Sequence, residues 1–449
     1  MSELHVHIFG QNVGTITRNA RITHRIDFVA GPHPLAFNVM SEGISLVPGS
    51  TAVSAEQATN FFGGYLPEGQ HRTALAARAG VKENDAFGML AHYGLTMSGA
   101  ISIRSPEAHP SDVADYRALT TRQLVTKISD AIEKHDLGNE PDSGRSAIQG
   151  FQPKLVLARF DGKWHQPLGA AHSTHIIKPA LRARPEGVVD EHYSHRLAKR
   201  IGLATFDTEL FTMHGVTFLA IERYDRQVTK SGIVAAAHQE DAAQIMGLDW
   251  VDSLAKFQSP QSPKVGPSLR KIADIIGAST NDDDVQRWLE FTTFNVLVGN
   301  TDAHAKNVSF IHTQGGSTRL ADIYDAVPTA HRNDAYRARD SERRIGGNIA
   351  LGIDGQFGFA SLSREHLEKE AQSWGSLSDR KIANTIDSIL ERFSDALDNE
   401  PQLVAGTAGL RNRLGYNLER LSTGKQIGKP KQPIAEFSAR AVRADTSTA

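Results

Sequence analysis

Apolar and polar positions change period several times along the chain, and each change marks an element. Leu4, Val6 and Ile8 alternate with His5 and His7 ahead of Gly10-Gln11-Asn12 and Val13-Gly14-Thr15-Ile16, a hairpin pattern, and Ile22 to Phe28 predicts a further strand. Ala55 to Phe62 then follows helical spacing up to Gly63-Gly64. His71 to Ala79 and Ala86 to Tyr93 do the same up to Gly80 and Gly94, as C-cap glycines predict, and Met97 to Ile103 returns as a strand. Thr121 to His135 reads as a helix, and 138–144 is rich in turn formers. Leu155 to Phe160 is almost wholly apolar, Asp161-Gly162 is a strong hairpin signal, and Lys163-Trp164-His165 starts the return strand.

Ser173 to Pro179 and Val216 to Ile221 read as strands. Between them a helix is predicted with Asp190 as N-cap, Tyr193 and Leu197 one turn apart, and Gly202 as its stop. His238-Gln239-Glu240-Asp241 opens a helical region, Ser259 to Pro267 is a surface loop, and Leu269 to Gly277 is helical. Asp283-Asp284 starts a long helix, with negative charge at its positive end. Its stripe of Val285, Trp288, Leu289, Thr292 and Val296 is widened by Phe291, Phe294 and Leu297, so it belongs inside a sizeable lobe. Val308 to His312 and Arg319 to Asp325 form a hairpin around Gly315-Gly316, and helices Arg380 to Leu397 and Leu410 to Leu421 follow. These elements predict a small mixed unit over 1–110, a second segment over 111–226, a helical lobe over 227–423 and a polar, disordered tail over 424–449.

Composition narrows the classes without choosing among them. Apolar residues at 40% and charged residues at 22% are ordinary for a globular chain, and 449 residues fit two or three units. A formal charge of −2 gives no global pull toward nucleic acid or anionic membrane. The absence of cysteine excludes disulfides, thiolate metal sites and cysteine nucleophiles, and fits a cytoplasmic protein. No apolar run is long enough for a membrane span, and no basic start precedes an apolar core, so neither insertion nor secretion is expected.

The chemistry-bearing stretch lies between the long helix and the last hairpin: Val298-Gly299-Asn300-Thr301-Asp302-Ala303-His304-Ala305-Lys306-Asn307-Val308. An Asp followed five positions later by an Asn sets a base beside a metal-binding amide oxygen. Kinase catalytic loops do this: the Asp receives the proton of a substrate hydroxyl and the Asn holds Mg²⁺. Alone, the spacing equally suits loop residues that bond their own backbone. Its meaning comes from order. Buried helix, Asp-x4-Asn loop, hairpin and terminal acid follow one another as in a kinase catalytic lobe, where the last acid completes the metal site. Asp325, beside Ala326-Val327-Pro328, is preferred to Asp322 for that role.

Upstream candidates fit the same scheme. The loop Arg145 to Lys154, with Gly150, is suited to cover phosphates with backbone N–H groups, although a plain surface loop has the same composition. Lys178 ends a strand, where a lysine is either solvated or neutralises the α- and β-phosphates of ATP. Glu191 is placed to pair with Lys178, with Glu186 close enough to compete. Backbone groups at Glu222, Arg223 and Tyr224 are placed to bond an adenine edge. Asp282-Asp283-Asp284 is a helix start before it is a metal site, and His192 with His195 lacks a third zinc ligand.

Together Gly150-Phe151-Gln152-Pro153-Lys154, His175-Ile176-Ile177-Lys178, Glu222-Arg223-Tyr224-Asp225-Arg226, Gln239-Glu240-Asp241, Thr301 to Asn307 and Tyr324-Asp325 resemble the bacterial HipA toxin kinases. Phe61-Phe62-Gly63-Gly64-Tyr65-Leu66-Pro67 resembles their N-terminal subdomain, so the likeness spans about residues 1–420. It implies an α+β, two-lobed protein-kinase-like fold with a mixed β-rich N-terminal subdomain and a mainly helical C-terminal lobe. It also implies a serine/threonine protein kinase toxin that uses ATP and Mg²⁺. A HipB-like helix-turn-helix antitoxin is the implied partner, holding the kinase inactive on operator DNA. Best-known members phosphorylate an aminoacyl-tRNA synthetase, which stops translation and produces growth arrest and drug tolerance. By position, the resemblance makes Asp302 the catalytic base, Asn307 and Asp325 the Mg²⁺ ligands, Lys178 the phosphate lysine and Glu222 to Tyr224 the hinge. Gly150, Gln152, Lys154, His304 and Lys306 fall in the loops that line the nucleotide site.

One position departs from the family. Its glycine-bearing loop typically has a serine three residues before the glycine, and autophosphorylation there ejects the loop. Here Ala147 stands at that place, and Ser146 is one residue out of register. Self-inactivation is then absent, or uses Ser146 or Ser143, or the chain carries a Ser→Ala change. Two other functions fit the residues: a small-molecule kinase, since the same order serves aminoglycoside and sugar phosphorylation, and a mainly non-catalytic partner in a repressor complex.

Overall fold

The structure, a computed structural model, describes residues 3–32, 44, 53–107, 113–134, 152–182, 184–230, 232–280, 282–331, 347–400 and 408–428. Packing divides the chain into two compact units. Met1–Pro179, Ala220–Ala255 and Ser309–Thr318 form the first, and Ala180–Leu219, Lys256–Val308 and Arg319–Ala449 the second. Packing therefore groups the chain differently from its linear order.

The first unit opens with strands β1 (Glu3–Ile8) and β2 (Gln11–Arg18), joined through Phe9 and Gly10. Both turn residues take positive φ, at 51° and 75°, which matches the twist of a tight hairpin. β3 (Ile26–Ala30) pairs with β2, helices α1 (Ala55–Gly63), α2 (Gly69–Ala79) and α3 (Ala86–Tyr93) follow, and β4 (Ile101–Arg104) closes the order β3-β2-β1-β4. Alternation sends Leu4, Val6 and Ile8 into one core with Phe61, Phe62, Tyr65 and Leu66. α1 starts with a capping box, Ser54 with Gln57. Gly63 has no side chain because a Cβ there would lie 2.5 Å from the Trp250 ring.

A second sheet in this unit holds β5 (Asp115–Ala118), β6 (Leu155–Phe160), β7 (Lys163–Leu168) and β8 (His175–Pro179) in the order β5-β7-β6-β8; helix α4 (Thr121–Lys134) precedes β6. The segment 220–255 joins the N-terminal motif through long-range bonds. The Tyr65 hydroxyl donates to the Gln239 carbonyl at 3.2 Å, Gln244 Nε2 to the Phe61 carbonyl at 3.2 Å, and Arg72 to the Trp250 and Val251 carbonyls.

The second unit is mainly helical: Gly187–Arg200, Leu269–Ser279, Asp282–Val298, Arg364–Trp374, Asp379–Asn399 and Ala408–Ser422. Helix Asp379–Asn399 turns Ile382, Ile386, Ile389, Leu390 and Phe393 inward, and Phe393 meets Phe294 edge-on with ring centroids 5.9 Å apart. Asn417 Nδ2 donates to the Leu297 carbonyl, satisfying an otherwise orphaned helix-end acceptor. Among the described residues no helix is long and apolar enough to cross a membrane.

Several local expectations shift. His238–Asp241 is a strand, antiparallel to Ser309–His312; helix begins only at Ala242, with Asp241 as its cap. Pairing across the ladder explains it: His238 lies opposite His312, and both flank the buried Glu240 carboxylate. Strand begins only at Ile101, because Gly99 in the turn before it takes φ +77° and donates its N–H to Asp225 at 2.9 Å. The helix expected to begin at Asp190 begins at Gly187, so Asp190 lies in its first turn and Glu186 occupies the cap without a side-chain bond. Thr318–Leu320 is the whole of the returning strand, because from Ala321 the chain bonds elsewhere: Ile323 N–H donates to the Leu203 carbonyl.

Candidate active site

Helix Asp282–Val298 carries the chain into the loop. Val285, Trp288, Leu289, Phe291, Phe294 and Leu297 pack it into the core, and Gly299 ends it in the left-handed conformation at φ +74°. The main chain then pins the loop residue by residue. Thr301 N–H donates to Thr329 Oγ1 at 2.7 Å, its carbonyl accepts from Ala350, and Ala330 N–H donates to the Gly299 carbonyl. His304 N–H donates to the Asp302 carbonyl at 2.8 Å, and Asn307 Nδ2 reaches the same carbonyl at 3.0 Å. Ala305–Asn307 forms one 3-10 turn. His304 is buried edge-on against Phe257, and Lys306 offers its carbonyl to the Tyr324 hydroxyl at 2.7 Å. The side chains of Asp302 and Asn307 stay half-buried at the end of this framework.

The two acids after the hairpin differ sharply. Asp322 is 4% exposed, and its carboxylate accepts from Thr205 N–H at 2.6 Å and Thr205 Oγ1 at 2.5 Å. Asp325 is half-buried and holds φ +55°, a conformation that side chains rarely adopt without a compensating framework. That framework includes Val327 N–H and Asn300 Nδ2, both donating to its carbonyl. An apolar recess lies behind the loop, lined in part by Trp288, Phe291, Val296, Asn300, Asn307 and Tyr324.

The remaining candidates lie on the other unit or on neighbouring helices. Lys178 stands near the end of β8 and Lys154 just before β6, both buried; Gln152 is exposed and its carbonyl accepts from His71 Nε2. Glu191 is buried, 3.6 Å from His195 on its own helix. Its expected pairing with Lys178 joins residues of different units. His192 bonds Thr208 Oγ1 at 2.7 Å, and burial, aided by Arg196, lowers its pKa to about 4. Both histidines are thus core residues, and among the described residues no group of three or more metal-ligating side chains is assembled. Gly150, Ser146 and Ala147 lie outside the described residues.

The hinge segment needs correction at Arg223. Its N–H is not available to a nucleotide edge, since it donates to the Thr174 carbonyl at 2.9 Å. Its guanidinium is committed to Asp225, at 3.0 and 2.8 Å, and to Ser173. Arg226 binds the same carboxylate at 2.7 Å. Burial alone would raise the Asp225 pKa, but the two guanidinium groups and the Gly99 N–H outweigh it and hold the carboxyl well below the usual range. Glu222 is exposed and Tyr224 half-buried. Sequence reasoning missed this closed ion cluster, although two arginines flanking an aspartate were its signal. It also missed Glu240, buried between His238 at 3.8 Å and His312 at 3.5 Å, for which nothing local gave warning.

A family model described as the HipA-like C-terminal domain matches residues 146–397, and one described as the HipA N-terminal domain matches 4–104. The chain belongs to the HipA family. Its relatives include a putative kinase of Sinorhizobium fredii, 28% identical over 379 residues, 84% of this chain and 87% of that protein. Another is the serine/threonine-protein kinase toxin HipA of Shewanella oneidensis, 26% identical over 314 residues, 68% of each chain. A solved Shewanella oneidensis complex of HipA, HipB and operator DNA contains a chain of the same fold, with TM-score 0.76 and 22% identity, covering 94% of this chain and 97% of that one. The α+β, two-lobed kinase-like fold expected from the sequence is therefore the fold of this HipA family member.

Proposed function

We propose that this chain is an ATP-dependent serine/threonine protein kinase of the toxin type, with Asp302 as the base that takes the proton of a substrate hydroxyl. The carrying observation is the loop 299–307: its main chain is pinned at nearly every residue, while Asp302 and Asn307 stay half-buried. Such pre-positioning is what phosphoryl transfer asks of a protein.

The donor set suits Mg²⁺. Asn307 Nδ2 is committed to the Asp302 carbonyl, which leaves its Oδ1 as an acceptor; with the Asp325 carboxylate this gives hard oxygen ligands. Mg²⁺ held by these residues would neutralise charge on the ATP phosphates. Lys178 is assigned to those phosphates, together with Gln152, Lys154 and the Gly150 loop. Glu222 and Tyr224 supply the nucleotide edge with Arg223 as their structural anchor. His304 and Lys306 shape the loop between base and metal amide. Relatives support the toxin reading: the Shewanella protein is a serine/threonine-protein kinase toxin, and its solved complex holds HipB and operator DNA. A HipB-like antitoxin is the corresponding partner here, bringing the kinase to DNA indirectly, and a translation protein such as an aminoacyl-tRNA synthetase is the corresponding substrate.

Asp302→Asn tests the assignment, because it keeps shape and removes the base. Phosphotransfer should fall by about 10²- to 10⁴-fold, the usual worth of a general base. Growth arrest on induced expression should vanish with it. Arrest that persists unchanged would favour the non-catalytic repressor partner. Phosphoproteomes of the two strains that do not differ, while purified protein still turns over ATP, would favour a small-molecule kinase.

A further inference from the structure

Asn300 has no part in the assignments above, yet its side chain touches both halves of the proposed site. It is 4% exposed and makes three contacts at once. Its Oδ1 accepts the Asp302 N–H at 3.1 Å, and its Nδ2 donates to Asn295 Oδ1 at 2.9 Å and to the Asp325 carbonyl at 3.4 Å. The partners fix the amide orientation, since the Asp302 N–H needs an acceptor and the Asp325 carbonyl needs a donor. Asn295 belongs to the buried helix Asp282–Val298, so the reference point is rigid.

We propose that Asn300 is a positioning residue that ties the base-bearing loop and the metal-binding Asp325 to one fixed point on the helix. The proposal rests on the kinase reading for its chemistry and on the three bonds for its geometry. Asp325 needs such a tie more than an ordinary residue does. At φ +55° its peptide groups sit in a sparsely populated conformation, and a bond to its carbonyl opposes relaxation away from it. Partners one shell out from a metal ligand commonly carry 10- to 100-fold in metal affinity or activity.

Asn300→Asp is the discriminating change. It is isosteric and retains the acceptor for the Asp302 N–H, but it replaces the donor by an anion facing two oxygens. The base should hold its place while Asp325 loses its tie. With the full-length protein and ATP turnover measured as ADP release, the Mg²⁺ concentration for half-maximal rate should rise by about 10- to 100-fold. KM for ATP at saturating Mg²⁺ should stay unchanged. Amide hydrogen exchange over 323–330 should quicken, with 299–308 less affected. A Mg²⁺ curve that superimposes on that of the unmodified protein, with or without a lower thermal midpoint, overturns the proposal.

Asn295→Ala gives a second arm if Asn300→Asp does not fold, because it removes only the helix anchor. The same two shifts should follow at smaller size, and their absence overturns the proposal. If the unmodified protein turns over no ATP, the kinase reading fails separately. The exchange arm then decides: selective quickening at 323–330 supports the tie, and unchanged exchange there refutes it.

Discussion

Asp302 and Asp225 both sit in polar segments, and the bonds that fix the two residues are made through different atoms. Asp225 is buried and bound through its side chain by Arg223, Arg226 and the Gly99 N–H. Asp302 is held through its main chain, by His304 N–H and Asn307 Nδ2 on its carbonyl and by Asn300 on its N–H, while its carboxylate remains half-buried. A carboxylate saturated by side-chain partners stabilises the fold. A residue fixed through its backbone is placed without drawing on its carboxylate for that purpose. Asp322 and Asp325 repeat the contrast at close range, the first spent on Thr205 and the second half-buried on a left-handed backbone.

The sharpest way to break this comparison is Asp225→Ala. It leaves two buried guanidinium groups without their shared anion, so unfolding of the first unit in denaturant should ease by about 3–5 kcal/mol. A loss below about 1 kcal/mol would show the cluster to be ornamental.

Next in size, Asp325→Asn should cut phosphotransfer by about 100-fold through the metal role proposed for it, whereas Asp322→Asn should cost less than about tenfold and act mainly on the melting temperature. Reversed outcomes would exchange the two assignments.

A smaller effect concerns pH. His192 has its folded pKa lowered to about 4, so the unfolded chain, near 6.5, binds more protons between those values. Its contribution to stability is complete above about pH 6.5 and is lost as pH falls toward 4. His192→Asn should therefore show a shallower decline in denaturation midpoint between pH 6.5 and 4 than the unmodified chain. Parallel declines would remove His192 as a titrating core group.

Much of the conformation of loop 299–307 was legible in the sequence, because its cues are local. The widening apolar stripe announces a buried helix, Gly299 its end, and the Asp302-to-Asn307 interval a turn that brings carboxylate and amide to one loop. The preference for Asp325 over Asp322 rested on place in the chain; the physical difference between them appears only with Thr205 in position. Gln239-Glu240-Asp241 was misread as helix because a short polar run has no decisive period, and its strand character depends on His312 across the ladder.

By itself, then, the amino-acid sequence determined the elements whose partners lie within a few residues: hairpin turns, helix stripes and the order of helix, loop and hairpin. Tertiary structure decided which distant segments share a core, as where Tyr65 finds Gln239 and Arg72 finds Trp250. It also decided which charges are spent. The physical reason is that burial and hydrogen-bond saturation depend on neighbours in space, and a residue's neighbours along the chain specify only a minority of those.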